Sequence, residues 1–265
     1  MDEALPDELA NRVLRSLSLE SDTLETLERT SQELTDKGVY GLERVDDRVR
    51  PFKLLRSQLY KRIVEDNLKL IGITSPSPQV GKSFVASNLA AALSRLSDVE
   101  VYLIDLDLLR PAQARNFSIV GGDSLGLLDY LSGEVEDLQG IALRVNEERL
   151  VVVPSHTRAT RSGELLTSPR GDALFAALRT LPPSAVVIID MPPIFADDDA
   201  VIIAQRLDAY IMIVEDGSTT RKQVRDTMRT MHPTPLLGTV LNKYKQNVLS
   251  DEYGYGSSYG YGSYY

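Results

Sequence analysis

The sequence predicts an α/β domain, a doubly wound and mainly parallel sheet with helices on both faces. Three observations carry that prediction. Six short runs are apolar almost without a break: LKLIGIT (68–74), VYLID (101–105), RLVVVP (149–154), AVVIID (185–190), AYIMIV (209–214) and LLGTVLN (236–242). Strands apolar on both sides belong to a sheet covered on two faces. Between several of them lie helically spaced stretches, SFVASNLAAALSRLS (83–97), GDALFAALRTL (171–181) and TTRKQVRDTMRTM (219–231), the alternation of parallel crossover units. Finally, polar residues gather where the apolar runs stop, and open α/β sheets bind ligands at the carboxyl ends of their strands.

Taken in chain order, residues 1–45 are acidic and spaced like one or two surface helices, with a partner-binding segment as the alternative. RPFKLLRSQLYKRIVEDN (50–67) is basic and amphipathic, and Phe52, Leu55 and Leu59 are expected to pack on the core. The α/β domain is expected over 46–248, followed by a tail at 249–265 that holds Tyr253, Tyr255, Tyr259, Tyr261, Tyr264 and Tyr265 among Gly and Ser. Such a tail has no aliphatic residues in its tyrosine-rich part and no amphipathic period, so it is expected to be flexible. It is either a sticky appendage or a set of phenols presented to an enzyme.

Bulk properties exclude several functions. A net charge of −9 and a pI near 4.9 oppose a nucleic-acid surface. With no cysteine, disulfides and thiolate metal sites are absent, and His156 and His232 are too few for a histidine metal site. No apolar run approaches the roughly 20 residues of a membrane span, and the opening MDEALPDELA is too acidic for a signal peptide. A cytoplasmic location is expected.

The strand ends carry the chemistry. SPSPQVGKS follows the first run and opens a helix, the strand–loop–helix setting in which backbone N–H groups cradle phosphate at the positive end of a helix. Gln79, Val80, Gly81, Lys82, Ser83 and Phe84 are the candidate nucleotide-binding residues. Lys82 would reach the outer phosphates and the Ser83 hydroxyl would ligate Mg²⁺. Pro76 stands where the usual loop has its first glycine and donates no N–H. The second run ends in VYLIDLDLLRP, placing Asp105 and Asp107 two residues apart, on one side of an extended chain; such a pair binds a metal or its waters, accepts a proton, or caps a loop. Asp190 closes AVVIID, where a carboxylate reaches Mg²⁺ from a neighbouring strand. Three strand ends bearing suitable groups point to nucleotide hydrolysis or phosphoryl transfer.

In SPSPQVGKS, VYLIDLDLLRP and IIDMPPIFADDDA, the chain resembles the bacterial tyrosine kinases, autokinases of capsule and exopolysaccharide systems. FKLLRSQL, SLGLLDYLSGE (124–134), GELLTSP (163–169), VEDGSTTRKQV (214–224) and LLGTVLNKY (236–244) agree with that family, so the likeness covers about 50–265. It implies ATP and Mg²⁺ as cofactors, Asn242 at the adenine base, Lys82, Asp105, Asp107 and Asp190 as catalytic residues, and Ser83, Asp107 and Asp190 at the metal. The tail tyrosines become autophosphorylation sites. The implied partners are further copies of the chain in a ring, a membrane-embedded polysaccharide co-polymerase that activates the kinase at the inner face of the membrane, and a cognate tyrosine phosphatase.

The chain departs from the family in places. Leu109 replaces an arginine, with Arg110 next to it; the ring motif falls on Arg50, Lys53 and Arg56 and lacks its Glu; Arg161-Ser162 replaces Asn-Pro. Ser77 occupies the position of the signature lysine of the related partitioning ATPases, which favours the kinase. The rival readings are an ATPase switch of that partitioning type and a non-catalytic nucleotide-binding adaptor. Within the kinase reading, Asp105 is assigned proton acceptance and Asp107 the metal waters. A phenol with a pKa near 10 requires alignment and charge neutralisation more than covalent help.

Overall fold

A computed structural model describes residues 6–18, 24–119, 125–146 and 148–244. The chain begins with α1 (Pro6–Leu17), β1 (Glu25–Leu27) and α2 (Ser31–Asp36). Helix α3 (Arg50–Asp66) leads into β2 (Leu70–Thr74), and a loop joins β2 to α4 (Lys82–Leu93). Strand β3 (Glu100–Asp105) is followed by the short helices α5 (Gln113–Asn116) and α6 (Leu127–Ser132), then by β4 (Leu143–Val145) and β5 (Leu150–Val153). Helices α7 (Ser162–Leu166) and α8 (Pro169–Thr180) precede β6 (Ala185–Asp190), and α9 (Asp199–Ala204) precedes β7 (Ala209–Glu215). Helix α10 (Arg221–Met231) and β8 (Leu236–Asn242) complete the described chain.

The strands form one sheet in the order β1-β4-β5-β3-β6-β2-β7-β8. Its neighbouring pairs are parallel except β4 with β5. The unbroken apolar runs of the central strands follow from this topology, because side chains leave a strand on alternate faces and both faces are covered. In β3, Tyr102 and Ile104 enter the core beneath α1, α6 and α8, while Val101 and Leu103 enter the core beneath α3 and α4. Phe52 and Leu59 are buried on α3, as expected, and Leu55 is partly buried against the same core; Ile63, which was not named, is buried with them.

The first forty-five residues are more than surface helices. Val13 and Leu17 of α1 are fully buried in the core that α8 also lines, and β1 extends the sheet by pairing with β4. Nothing in ETL announces a strand; three residues carry no period, and the pairing is tertiary. Thr30 and Glu33 form a reciprocal cap on α2. Past it, the chain docks on α4: Asn88 Oδ1 accepts from the backbone N–H of Tyr40 at 2.6 Å and of Gly41 at 3.1 Å, and Asn88 Nδ2 donates to Gly38 O at 2.8 Å. A Cβ on Gly41 would lie 2.3 Å from the Asn88 carbonyl oxygen, so only glycine permits this approach. The N-terminal segment thus braces the helix that opens the phosphate loop. The tail at 249–265, with all six of its tyrosines, lies outside the described residues.

Candidate active site

The loop between β2 and α4 is shaped by two left-handed residues, Gln79 (φ 64°) and Gly81 (φ 96°). Gly81 is the N-cap of α4, and no side chain caps that end. The first N–H groups of α4 therefore have no intrahelical partner and face the positive end of the helix dipole, a ready anion site. Ser75 Oγ donates to Ser77 O at 2.7 Å, and Gln223 Nε2 of α10 donates to Ser77 Oγ at 3.0 Å, fixing the start of the loop. The expected cradle residues thus share one turn.

Asp105, Asp107 and Asp190 converge beside it. Lys82, only 6% exposed, places Nζ 3.2 Å from Asp107 Oδ2, and the Arg110 N–H donates to Asp107 Oδ1 at 3.0 Å. Asp105 and Asp190 are register partners at the tips of β3 and β6, both fully buried. Asp105 Oδ2 accepts from the N–H groups of Ala112 (2.9 Å) and Gln113 (2.8 Å). The second oxygen of each carboxylate, Asp105 Oδ1 and Asp190 Oδ1, has no hydrogen-bond partner. Unpaired buried carboxylate oxygens carry a large desolvation cost. Burial, then the charge of Asp190, pushes Asp105 well above the ordinary carboxylate range, against the pull of the two backbone donors. Burial likewise lifts Asp190 to about 6, although Lys82 and the Ser83 hydroxyl pull it down. Hard anionic oxygens left without donors, next to a serine hydroxyl, fit a hard divalent cation such as Mg²⁺.

One organising residue escaped the sequence reading. Gln113, fully buried, donates from Nε2 to Asp190 Oδ2 (2.8 Å) and to Ser83 O (3.3 Å), and its Oε1 accepts from Ser87 Oγ at 2.6 Å. Asn116 Nδ2 donates to the same hydroxyl at 3.0 Å. Gln113 therefore ties all three strand ends together: Asp105 by its backbone, Asp190 and the phosphate loop by its side chain. A glutamine at the start of a four-residue helix carries no sequence signal of such a role.

A cavity of about 520 Å³ opens over this cluster and is lined by Gln79, Gly81, Lys82, Ser83, Phe84 and Asp107 among others. Asp105 and Asp190 lie behind its wall rather than on it. Arg110 and Arg115, from the stretch between β3 and the end of α5, and Arg158, from the loop after β5, reach its edge; Arg115 and Arg158 were not anticipated. Asn242, expected at the adenine base, donates from Nδ2 to Val80 O at 2.7 Å, and a Cβ on Gly81 would meet that nitrogen at 2.1 Å. Next to it, Lys243 Nζ donates to Gln79 O at 2.7 Å and pairs with Glu215 at 3.2 Å. The end of β8 is thus fastened to the back of the loop.

Comparison with known proteins gives these geometries a context. The model of the CobQ/CobB/MinD/ParA nucleotide binding domain matches residues 71–253. A tyrosine-protein kinase, CpsD of Streptococcus agalactiae, is 30% identical over 228 residues, which cover 83% of this chain and 96% of that protein. The putative tyrosine-protein kinase EpsB of Ralstonia nicotianae is 30% identical over 241 residues, 88% of this chain but only 31% of the relative, so this chain spans under a third of that longer protein. Among solved structures, the kinase domain of the Escherichia coli tyrosine kinase ETK superposes with a TM-score of 0.67 at 26% identity, covering 84% of each chain.

Proposed function

Since the chain belongs to the CobQ/CobB/MinD/ParA nucleotide-binding family and, within it, to the bacterial tyrosine kinases, we propose that it transfers the terminal phosphoryl group of ATP to tyrosines of its own C-terminal tail. The acceptors are Tyr253, Tyr255, Tyr259, Tyr261, Tyr264 and Tyr265, and the setting is regulation of exopolysaccharide or capsule synthesis. The observation that carries this reading is the convergence of Lys82, Asp107 and the unpaired oxygens of Asp105 and Asp190 at one strand-end cluster.

The loop N–H groups from Gln79 to Phe84 hold the phosphates. Lys82 exchanges its Asp107 partner for a phosphate oxygen. Ser83, Asp107 and Asp190 are the groups that would hold Mg²⁺, which when bound neutralises charge on the transferring phosphate. The bond between the terminal phosphorus and its bridging oxygen breaks, a bond to the phenol oxygen forms, and the phenol proton passes to a carboxylate. The sequence assigned that proton to Asp105. Access favours Asp107, since it lines the cavity, whereas Asp105 lies behind it with one oxygen engaged by two N–H groups. Asn242 holds the loop through Val80 O and is the residue expected to contact the adenine base.

The tail from 249 spans roughly 55 Å when extended, enough to reach a second copy. Six phosphates at about −1.5 to −2 each would at least double the chain's −9 charge, so modification loosens an assembly of copies. Activation by a membrane-embedded partner that draws the protein to the inner face of the membrane, and reversal by a phosphatase, complete the cycle. Incubation with Mg·ATP should yield phosphotyrosine in the 245–265 peptide by mass spectrometry, and Lys82→Met should abolish it. Release of phosphate without tail modification would instead indicate an ATPase switch.

A further inference from the structure

A chain of net charge −9 concentrates positive charge at one cavity. Five cations line it, Lys37, Lys82, Arg110, Arg115 and Arg158, against the single carboxylate of Asp107. Lys82 is buried and already paired with Asp107. The other four are exposed, come from three stretches of the chain, and none makes an ion pair among the described residues. Arg115 extends from α5 and Arg158 from the loop between β5 and α7, while Lys37 follows α2. Elsewhere many arginines are neutralised by acids, Arg95 by Glu148, Arg149 by Glu100, Arg179 by Asp208 and Arg206 by Asp172, and those left unpaired among the described residues, such as Arg15, Arg44 and Arg221, do not line this cavity. An unneutralised cluster at the mouth of a site is a recognition surface for an anion.

We infer that this rim, Arg115 and Arg158 above all, is a subsite for an anionic group flanking the acceptor tyrosine of an incoming tail. The inference rests on the kinase reading and deepens it. The tail sequence supplies the complementary chemistry. Asp251 and Glu252 stand immediately before Tyr253, and from there to residue 265 there is no further acidic side chain, only Gly, Ser and Tyr. The one tyrosine adjacent to acid is therefore docked first. Its phosphate, at about −1.5 to −2, then becomes a stronger anchor than the carboxylates it adjoins, and Tyr255 and Tyr259 enter next. Arginine suits the task because its planar fork meets both carboxylate and phosphate bidentately. The tail is thus modified in order from its acidic end, each product serving as a handle for the next transfer.

Labelled peptides of residues 249–265 test this by fluorescence anisotropy against the full chain loaded with ADP. Three versions are compared: the native peptide, one with Asp251→Asn and Glu252→Gln, and one phosphorylated at Tyr253. The expected affinities fall from phosphorylated to native to neutralised, about tenfold per step, and the spread shrinks at high salt. The double variant Arg115→Gln/Arg158→Gln should collapse the series, with ADP affinity by calorimetry altered less than about twofold. Equal affinity for the three peptides, or an unchanged series in the double variant, overturns the subsite. So does a loss of ADP binding as large as the loss of peptide binding, which would assign the rim to the nucleotide. A time course of tail modification by mass spectrometry adds the order, with Tyr253 expected first. Graded peptide binding without any phosphotyrosine would sink the kinase reading and leave the subsite standing; phosphotyrosine appearing in random order, with ungraded peptides, would do the reverse.

Discussion

Two carboxylates at opposite ends of the same sheet have opposite fates. Asp208 sits at the amino end, just before β7. Its Oδ2 accepts from the N–H groups of Lys69 and Leu70 at 2.8 Å each, and Arg179 pairs with its other oxygen. Burial alone would raise its pKa, but Arg179 and the two N–H groups outweigh burial and hold it below the ordinary value. Asp190 sits at the carboxyl end of β6, with one oxygen on Gln113 and the other unpartnered, and burial raises it to about 6. The amino end is complete within the chain. The carboxyl end leaves an acid oxygen unmatched within the chain, and this asymmetry separates a structural carboxylate from one proposed to act on a ligand.

The widest separation between the two ends is in activity. Asp190→Asn or Lys82→Met should reduce phosphotyrosine formation by about 100-fold or more, while Asp208→Asn should leave the transfer rate per folded molecule intact, as quantified by mass spectrometry. Stability should then separate them in sign. Asp208→Asn breaks a charge-assisted contact and costs about 1–3 kcal/mol, or roughly 2–4 °C of Tm per kcal/mol. Asp105→Asn keeps an acceptor for Ala112 and Gln113 but removes a crowded buried charge, so the nucleotide-free protein should melt a few degrees higher. A fall in its Tm would mean that Asp105 is a structural group like Asp208.

A smaller effect appears in pH. Asp190 binds its proton more tightly folded than unfolded, so its ionisation opposes folding. That penalty is absent below the unfolded value of 3.8 and complete above about 6. Asp208 has the reverse sign, stabilising above its ordinary value and losing that contribution as pH falls through its depressed one. Thermal melts of the nucleotide-free protein from about pH 4 to pH 7 should show the first effect as a decline that Mg·ADP flattens. The N-terminal brace gives a last, local check: Gly41→Ala should cost about 1–3 kcal/mol by forcing the Asn88 contact apart.

How much of this was legible in the sequence follows from the same distinction. Fully buried parallel strands write themselves as apolar runs, so β2, β3 and β6, and the acids that end β3 and β6, could be read directly. Strand β1 could not, because three residues at an edge are defined by the partner they find. Gln113 was invisible for a related reason: its role depends on contacts with residues 30 and 77 positions away. The bond from Asn242 to the loop carbonyl of Val80 was not legible either, since a residue at the end of the last strand gives no sign of which backbone atom it will meet. Arg115 and Arg158 carry meaning only as members of a rim assembled from distant segments.

The bonds from Asn242 and Lys243 to the carbonyls of Val80 and Gln79 have a mechanical consequence. Every residue beyond 244 hangs from the point where β8 is riveted to the nucleotide's own cradle. Tension applied along the tail, whether by a neighbouring copy that has captured it or by a phosphatase working on it, is borne first by these two links. If the trailing peptide is the substrate proposed above, it is also a tether, and a force along it reaches the loop without passing through the core.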